Sequence, residues 1–341
     1  MKRKKLAKRL LICTACTVFL LAIGGWALLG NLSSHAGHAY IYVDNDDNAD
    51  SVFRKISPQA RPLQYYGVRA AAMLLRYDQH IRTGRYEMGK GKTALQLVRD
   101  LRNGSQAPLR LTITNIRTME DLAGRLGKQL ETDSAVWAEC FSDTDFCKQF
   151  GCDTATLACL FLPNTYEVFW NVGPEQLVTR MKRESDAFWT DERRQAADAA
   201  GLSPFEVITL ASIVDQETAN EAEKPLVAGM YLNRLRTGMK LQADPTVKFA
   251  LKRFGLRRIL HEHLTVDSPY NTYLHEGLPP GPIAIPSVSS IEAVLHYTPH
   301  DYLYMCAKED FSGTHRFTTT YDEHLRNARR YAEALNRRGI R

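Results

Sequence analysis

The sequence predicts an α+β protein: an N-terminal apolar helix, a small mixed module and a larger, mainly helical body with short strands. Three observations predict it. An uncharged apolar stretch from Leu10 to Gly30 follows a basic start, helix- and strand-period segments alternate over residues 39–115, and helical patterns dominate residues 116–341.

Residues 1–9 carry Lys2, Arg3, Lys4, Lys5, Lys8 and Arg9, and residues 10–30 are long enough to cross a bilayer. Positive charge ahead of such a stretch predicts a cytoplasmic N-terminus and a single-pass anchor. Gly37-His38-Ala39 also offers small residues at a signal-peptide cleavage spacing, but the apolar stretch is longer than the usual signal core. Those basic residues match the whole formal charge of +6, so the remainder is near neutral and nothing in it predicts a nucleic-acid partner.

The small module reads as a strand over 40–43, helices over 49–56 and 67–75, an extended piece over 85–88, a helix over 94–103 and a strand over 109–114. Beyond it the pattern gives helices over 119–130, 174–200 and 223–236, a hairpin of 302–307 with 315–319, and a last helix over 321–336. One more helix runs from Ser203 to about Ala219, with Ser203 as N-cap, Pro204 in the first turn and Glu206 as capping-box partner. There is no internal repeat or low-complexity tract.

Cys140, Cys147, Cys152 and Cys159 cluster outside the apolar stretch. Two disulfides in an oxidising compartment and buried free thiols are both open readings, and the intervals do not match zinc spacing. His261 and His263, like His296 and His300, fail the H-E-x-x-H arrangement. Gly84 to Lys90 opens like a phosphate loop, but Gly91 stands where a Ser or Thr is needed. No metal and no cofactor is expected.

In the helix from Ser203, Val207, Leu210, Ala211 and Val214 form one apolar face. Glu217 and Asp215 lie near its end and diverge by roughly 160°. Burial would raise the pKa of either acid toward the range useful for donating a proton. The wheel does not choose between them, and an acid held in a salt bridge fits the same pattern.

Two loops, Tyr270-Asn-Thr-Tyr273 and Gly277-Leu-Pro-Pro-Gly-Pro282, combine aromatic faces, amide and hydroxyl donors and a stiff turn. Such a set suits a sugar ring, with apolar faces and a hydroxyl rim. Leu241-Gln-Ala-Asp-Pro-Thr246 and Pro163-Asn-Thr-Tyr166 add polar groups on turns, each of which also reads as plain turn chemistry.

Phe161-Leu-Pro-Asn-Thr-Tyr166, Leu210-Ala-Ser-Ile-Val-Asp-Gln-Glu-Thr218, Tyr231-Leu-Asn-Arg-Leu-Arg236, Gly238 to Thr246, Ser268 to Tyr273 and Gly277 to Ala284 together resemble the YceG-like endolytic murein transglycosylases, in that family's order. The resemblance covers roughly residues 40–335. It implies a LysM-like subdomain over 39–115 and a catalytic domain over 116–341. The family's catalytic acid is the second of two in an Ile/Val-Glu-x-Glu-Thr run, which falls on Glu217; the first acid is Asp215 here instead of Glu.

By this resemblance the chain cuts the β-1,4 bond between N-acetylmuramic acid and N-acetylglucosamine and leaves a 1,6-anhydro end. Glu217 protonates the leaving oxygen and then takes the proton from the C6 hydroxyl, whereas ordinary glycosidases need two carboxylates. Asn164, Tyr166, Gln242, Asp244, Tyr270, Asn271 and Tyr273 are expected to line the glycan cleft, with capping of the following helix as the other role open to Asp244. The implied location is the inner (plasma) membrane, with the catalytic domain outside the cytoplasm. The implied partners are peptidoglycan strands and synthases or division proteins. Two rivals stay open: a hydrolase in which a second carboxylate such as Asp244 activates water, and a tethered peptidoglycan-binding scaffold.

Overall fold

The computed structural model describes residues 2–33, 37–89, 91–256 and 258–339; Lys90 of the rejected phosphate-loop reading lies outside them. It is mixed α+β, mostly helical, with short strands, and it divides into two compact units.

The first unit comprises Met1–Leu111, Gln129–Glu131 and Glu167–Val172. It holds α1 (Lys2–Leu29), β1 (Tyr40–Val43), α2 (Ala49–Ile56), α3 (Pro62–Leu74), β2 (Gly84–Glu87) and α4 (Ala94–Asn103). Strands β1 and β2 pair antiparallel with Ile41 opposite Tyr86, and Ile41, Val43 and Tyr86 face the core with Val52, Ile56, Val68 and Leu97. Reciprocal capping boxes of Asn48 with Ser51 and Thr93 with Gln96 fix the starts of α2 and α4.

Helix α1 is long and apolar enough over Lys4–Leu29 to cross a membrane, and side chains such as Leu11, Phe19 and Leu21 stand exposed along it. Its C-terminal end behaves differently. Ala27 is buried, and a Cβ added at Gly67 of α3 would sit 2.1 Å from the Ala27 carbonyl oxygen, so only glycine permits this approach. The chain then threads into the same unit. Leu32 is fully buried, its N–H donates to Lys92 O (2.8 Å), and its carbonyl accepts from the Arg61 N–H (2.9 Å).

Strands β3 (Leu109–Ile113) and β4 (Asn164–Val168) pair with each other. The second unit, Thr112–Lys128, Thr132–Tyr166 and Gly173–Arg341, contains α5 (Met119–Gly127), α6 (Ser134–Ser142), α7 (Thr144–Lys148), α8 (Pro174–Phe188), α9 (Asp191–Ala200) and α10 (Pro204–Glu217). After these come α11 (Lys224–Arg236), α12 (Asp244–Ala250), α13 (Val288–Leu295), the antiparallel hairpin β5 (Tyr304–Ala307) with β6 (His315–Thr318), and α14 (Tyr321–Arg337).

Two sequence expectations need correction. The stretch 174–200, predicted as one helix, is two, because Thr190 caps a new start by accepting from the Arg193 N–H. Helix α10, predicted to bury one face, is buried at every position from Val207 to Val214. Its polar side chains make this affordable: Thr209 Oγ1 donates to Phe205 O (2.9 Å), and Ser212 Oγ donates to Thr209 O (2.7 Å) while accepting from the Ile283 N–H (3.0 Å). The helix thus forms the centre of a core with Val227, Met230, Tyr231, Ile291 and Val294 around it. The clustered cysteines Cys140, Cys147, Cys152 and Cys159 are free thiols.

Candidate active site

The site grows from the C-terminal end of α10. At its start the Ser203 N–H donates to Glu206 Oε2 (2.8 Å) and the Glu206 N–H donates to Ser203 Oγ (3.4 Å), the expected capping box. The apolar body fixes the helix in the core, and its last turn brings out two acids with opposite surroundings.

Asp215 is held. Ser287 and Ser290 hydroxyls each donate to its Oδ1 at 2.5 Å, and the buried Lys224 ammonium lies 3.3 Å away. Burial works against its charge, but the two hydroxyls and Lys224 outweigh it and hold the carboxyl below its usual range. The residue ties α10 to α11 and, through Ser287, to the N-cap of α13.

Glu217 has the reverse environment. Burial pushes its carboxyl up to about 7, against the hydrogen bond from Tyr231 and the Lys248 and Arg234 cations, and with the Asp244 charge adding to the rise. Tyr231, fully buried on α11, donates its hydroxyl to Glu217 Oε1 at 2.8 Å. Over its whole surface the residue is partly buried. The helix therefore ends in one fixed carboxylate and one proton-holding acid near neutrality.

Of the expected lining residues, Asp244 and Tyr273 lie within electrostatic reach of Glu217. Asp244 is exposed in the first turn of α12 and accepts the Tyr273 hydroxyl (2.7 Å); it is not an N-cap, that position being Ala243. Gln242 precedes it at φ 48°, exposed, with its N–H on Thr272 O (3.1 Å). Tyr270 packs its ring on Phe249, centroids 4.7 Å apart. Asn271 is fully buried, its side-chain amide donating to Leu264 O and Val266 O (2.9 Å each) and its Oδ1 accepting from the Tyr273 N–H (3.0 Å). It braces the loop from within and has no face free for a ligand.

On β4, Asn164 is exposed with its Oδ1 on the Thr165 N–H (2.7 Å). Tyr166 is buried and donates its hydroxyl to Leu162 O (2.9 Å), so its ring belongs to the core and not to a cleft surface.

Two concavities adjoin this group. The larger, about 310 Å³, is lined by Tyr270, Phe249, Met119, Phe141, Ala155 and Pro282. A Cβ added at Gly281 would lie 2.1 Å from the Ala155 carbonyl oxygen, so this glycine lets the proline-rich loop close against that wall. The smaller, about 120 Å³, lies beside Gln216. Among the described residues no group of three or more His, Cys, Asp or Glu side chains could hold a metal ion.

The sequence model of the YceG-like family matches residues 41–330. The chain belongs to that family. It is 35% identical over 162 residues to the endolytic murein transglycosylase of Bacillus subtilis, covering 48% of this chain and 44% of that one. To the Streptococcus pneumoniae protein of the same name it is 28% identical over 288 residues, 75% of this chain and 51% of the relative. The chain thus spans about half the length of the curated relatives it matches. A crystal structure of a yceG-like protein from Listeria monocytogenes superposes with a TM-score of 0.56 at 25% identity, covering 85% of this chain and 98% of that one.

In this YceG-like chain two site residues escaped the sequence reading. Tyr231 lies 14 residues from the acid it serves, one helix on. Arg234 is buried near it, donating to Leu303 O (2.7 Å) and Leu241 O (2.6 Å). Their i, i+3 spacing on α11 was the available signal, for it puts both on one face of that helix.

Proposed function

We propose that this YceG-like chain is an endolytic peptidoglycan lytic transglycosylase with Glu217 as its catalytic acid and base. The observation that carries the reading is the contrast at the end of α10: Asp215 is committed to Ser287, Ser290 and Lys224, while burial lifts Glu217 to about 7 with Tyr231 on one oxygen. The names of the curated relatives support it.

Tyr231 occupies Oε1, so Oε2 carries the transferable proton. Protonated Glu217 gives it to the glycosidic oxygen leaving muramic acid at C1. The resulting carboxylate takes the proton of the C6 hydroxyl as that oxygen closes on C1, giving the 1,6-anhydro end. One acid near neutrality serves both steps, the requirement being a proton held in the ground state and easily returned. Asp244, hydrogen-bonded to Tyr273, adds negative charge that favours the protonated acid. Gln242, Tyr270 and Tyr273 contribute exposed or half-buried polar and ring surface for the glycan, and Asn164 extends it.

In this reading residues 1–9 are cytoplasmic and residues 10–30 anchor the chain by a single pass in the plasma (inner) membrane. Residues 39–115 form a LysM-like subdomain, and the catalytic domain over 116–341 works outside the cytoplasm. Its task is to end the elongation of nascent glycan strands beside peptidoglycan synthases or division proteins.

The test is mass spectrometry of products after the full chain in detergent, wild type or Glu217→Gln, digests peptidoglycan. Internal fragments with 1,6-anhydromuramic ends from the wild type alone are expected. Reducing ends would replace the reading by hydrolysis through a second carboxylate, and binding without cutting would replace it by a scaffold.

A further inference from the structure

The smaller concavity beside Gln216 has a one-sided chemistry. Phe249, Phe254 and Ile283 make its apolar floor, Arg117 and Lys248 supply two cations, and no acid lines it. The Arg117 guanidinium lies over the Phe254 ring, 5.1 Å from the centroid, a contact that leaves its N–H edge free. Among the described residues neither Arg117 nor Lys248 has an acidic partner. Neighbouring cations are spoken for: Lys252 pairs with Glu120 (2.9 Å), and Lys224 with Asp215 and Glu221 (3.3 and 2.6 Å).

Two cations lining one small hollow repel each other; the Lys248 charge also acts on Glu217 through space, but neither cation has an ion pair among the described residues. An anion between them removes that repulsion. A hollow of about 120 Å³ is well above the ~10–15 Å³ that one water needs, and it has room for a carboxylate or phosphate group. Arg117 offers the planar fork that carboxylates fit, Lys248 a mobile point charge. The hollow borders Gln216, the residue before Glu217, so an anion bound there is attached close to the bond being cut.

We propose that Arg117 and Lys248 form an anion subsite that holds a carboxylate of the peptide carried by the muramic acid, and so selects peptide-bearing glycan over bare glycan. This rests on the glycan-cutting reading of Glu217. Phosphate on a glycan end is the other source of the same chemistry. The peptide is favoured because it places carboxylates on each muramic acid along the strand, where a mid-strand cut would meet them, whereas a phosphate sits only at an end.

The test compares Arg117→Gln, Lys248→Met and the double variant, each with Glu217→Gln so that no cutting intervenes, for affinity toward three solubilised strands. These are peptide-bearing glycan, the same glycan with its carboxylates converted to methylamides, and peptide-free glycan ending in a phosphate. The double variant should bind the first about tenfold or more weakly, as loss of a charge-assisted contact requires. It should bind the other two as its parent does, which also shows an intact fold. Equal loss on all three, or loss on none, overturns the proposal, and loss confined to the phosphate-ended strand overturns the carboxylate assignment. Digestion by the chain with Glu217 intact is run alongside. Absence of anhydro ends there, with the binding difference preserved, would fail the catalytic reading and leave the subsite standing.

Discussion

The Tyr231 hydroxyl donates to Glu217 Oε1 at 2.8 Å from the core side of the neighbouring helix. The bond favours the carboxylate, so its removal lets burial raise Glu217 further. Tyr231→Phe should therefore shift the alkaline limb of the pH–rate profile upward while lowering kcat about tenfold through loss of the carboxyl's fixed orientation. Steady-state kinetics across pH 5–9 on soluble glycan would show both changes; an unmoved limb would deny the bond its role.

In the proposed reaction the wild type must hold the proton that it donates. With Glu217 at about 7, kcat/KM should hold on the acid side and decline as pH rises through about 7. Release of anhydro ends measured at constant ionic strength tests this.

The same acid carries a stability cost with a definite sign. Its folded pKa, about 7, lies above its ordinary 4.5, so the native state binds more protons between those values and loses stability as pH rises through them. Glu217→Gln should thus stabilise the chain at pH 8 by up to about 3 kcal/mol and have far less effect near pH 4.5. Thermal unfolding of the two proteins at both pH values provides the comparison. Equal Tm differences at the two pH values would contradict it.

Asp215→Ala should damage structure before chemistry. It strips Lys224, whose side chain is 4% exposed, of a partner and frees two serine hydroxyls at the start of α13. Lys224 keeps Glu221 at 2.6 Å, so the loss is that of the charge-assisted bonds to Asp215, about 1.5–3 kcal/mol. Denaturant unfolding should report that loss, while the alkaline limb set by Glu217 stays in place.

Residues 27–33 should behave as part of the first unit. Leu32 is fully buried and bonded on both sides of its backbone, and Ala27 packs on Gly67. Removing residues 1–38 should destabilise that unit by about 2–5 kcal/mol relative to removing residues 1–25, the range for deleting a large core side chain. Limited proteolysis of the two truncations would separate them.

What the sequence disclosed follows from the range of the forces involved. The cap of α10 was legible because Ser203, Pro204 and Glu206 act within one turn. The break before Thr190 lay in equally local residues, but the helical pattern runs on through Trp189 and masks it. Helices α6, α7 and α13 are short, and their patterns fell below notice. Both acids of α10 were visible, yet their difference was not: Ser287, Ser290 and Tyr231 come from elsewhere in the chain. Tyr166 and Asn271 show the opposite error. Their polar groups looked available, and tertiary packing turned them inward to bond backbone carbonyls.

The end of α1 has a mechanical consequence. Between Ala27 and Leu32 there is no slack chain, because Gly67, Lys92 and Arg61 clamp that stretch to the body of the first unit. A bilayer that took up α1 would hold this unit like a post set in a floor, at a fixed height and without the sweep of a leash. That unit would turn only as the helix itself turns, with no hinge between them to absorb the motion.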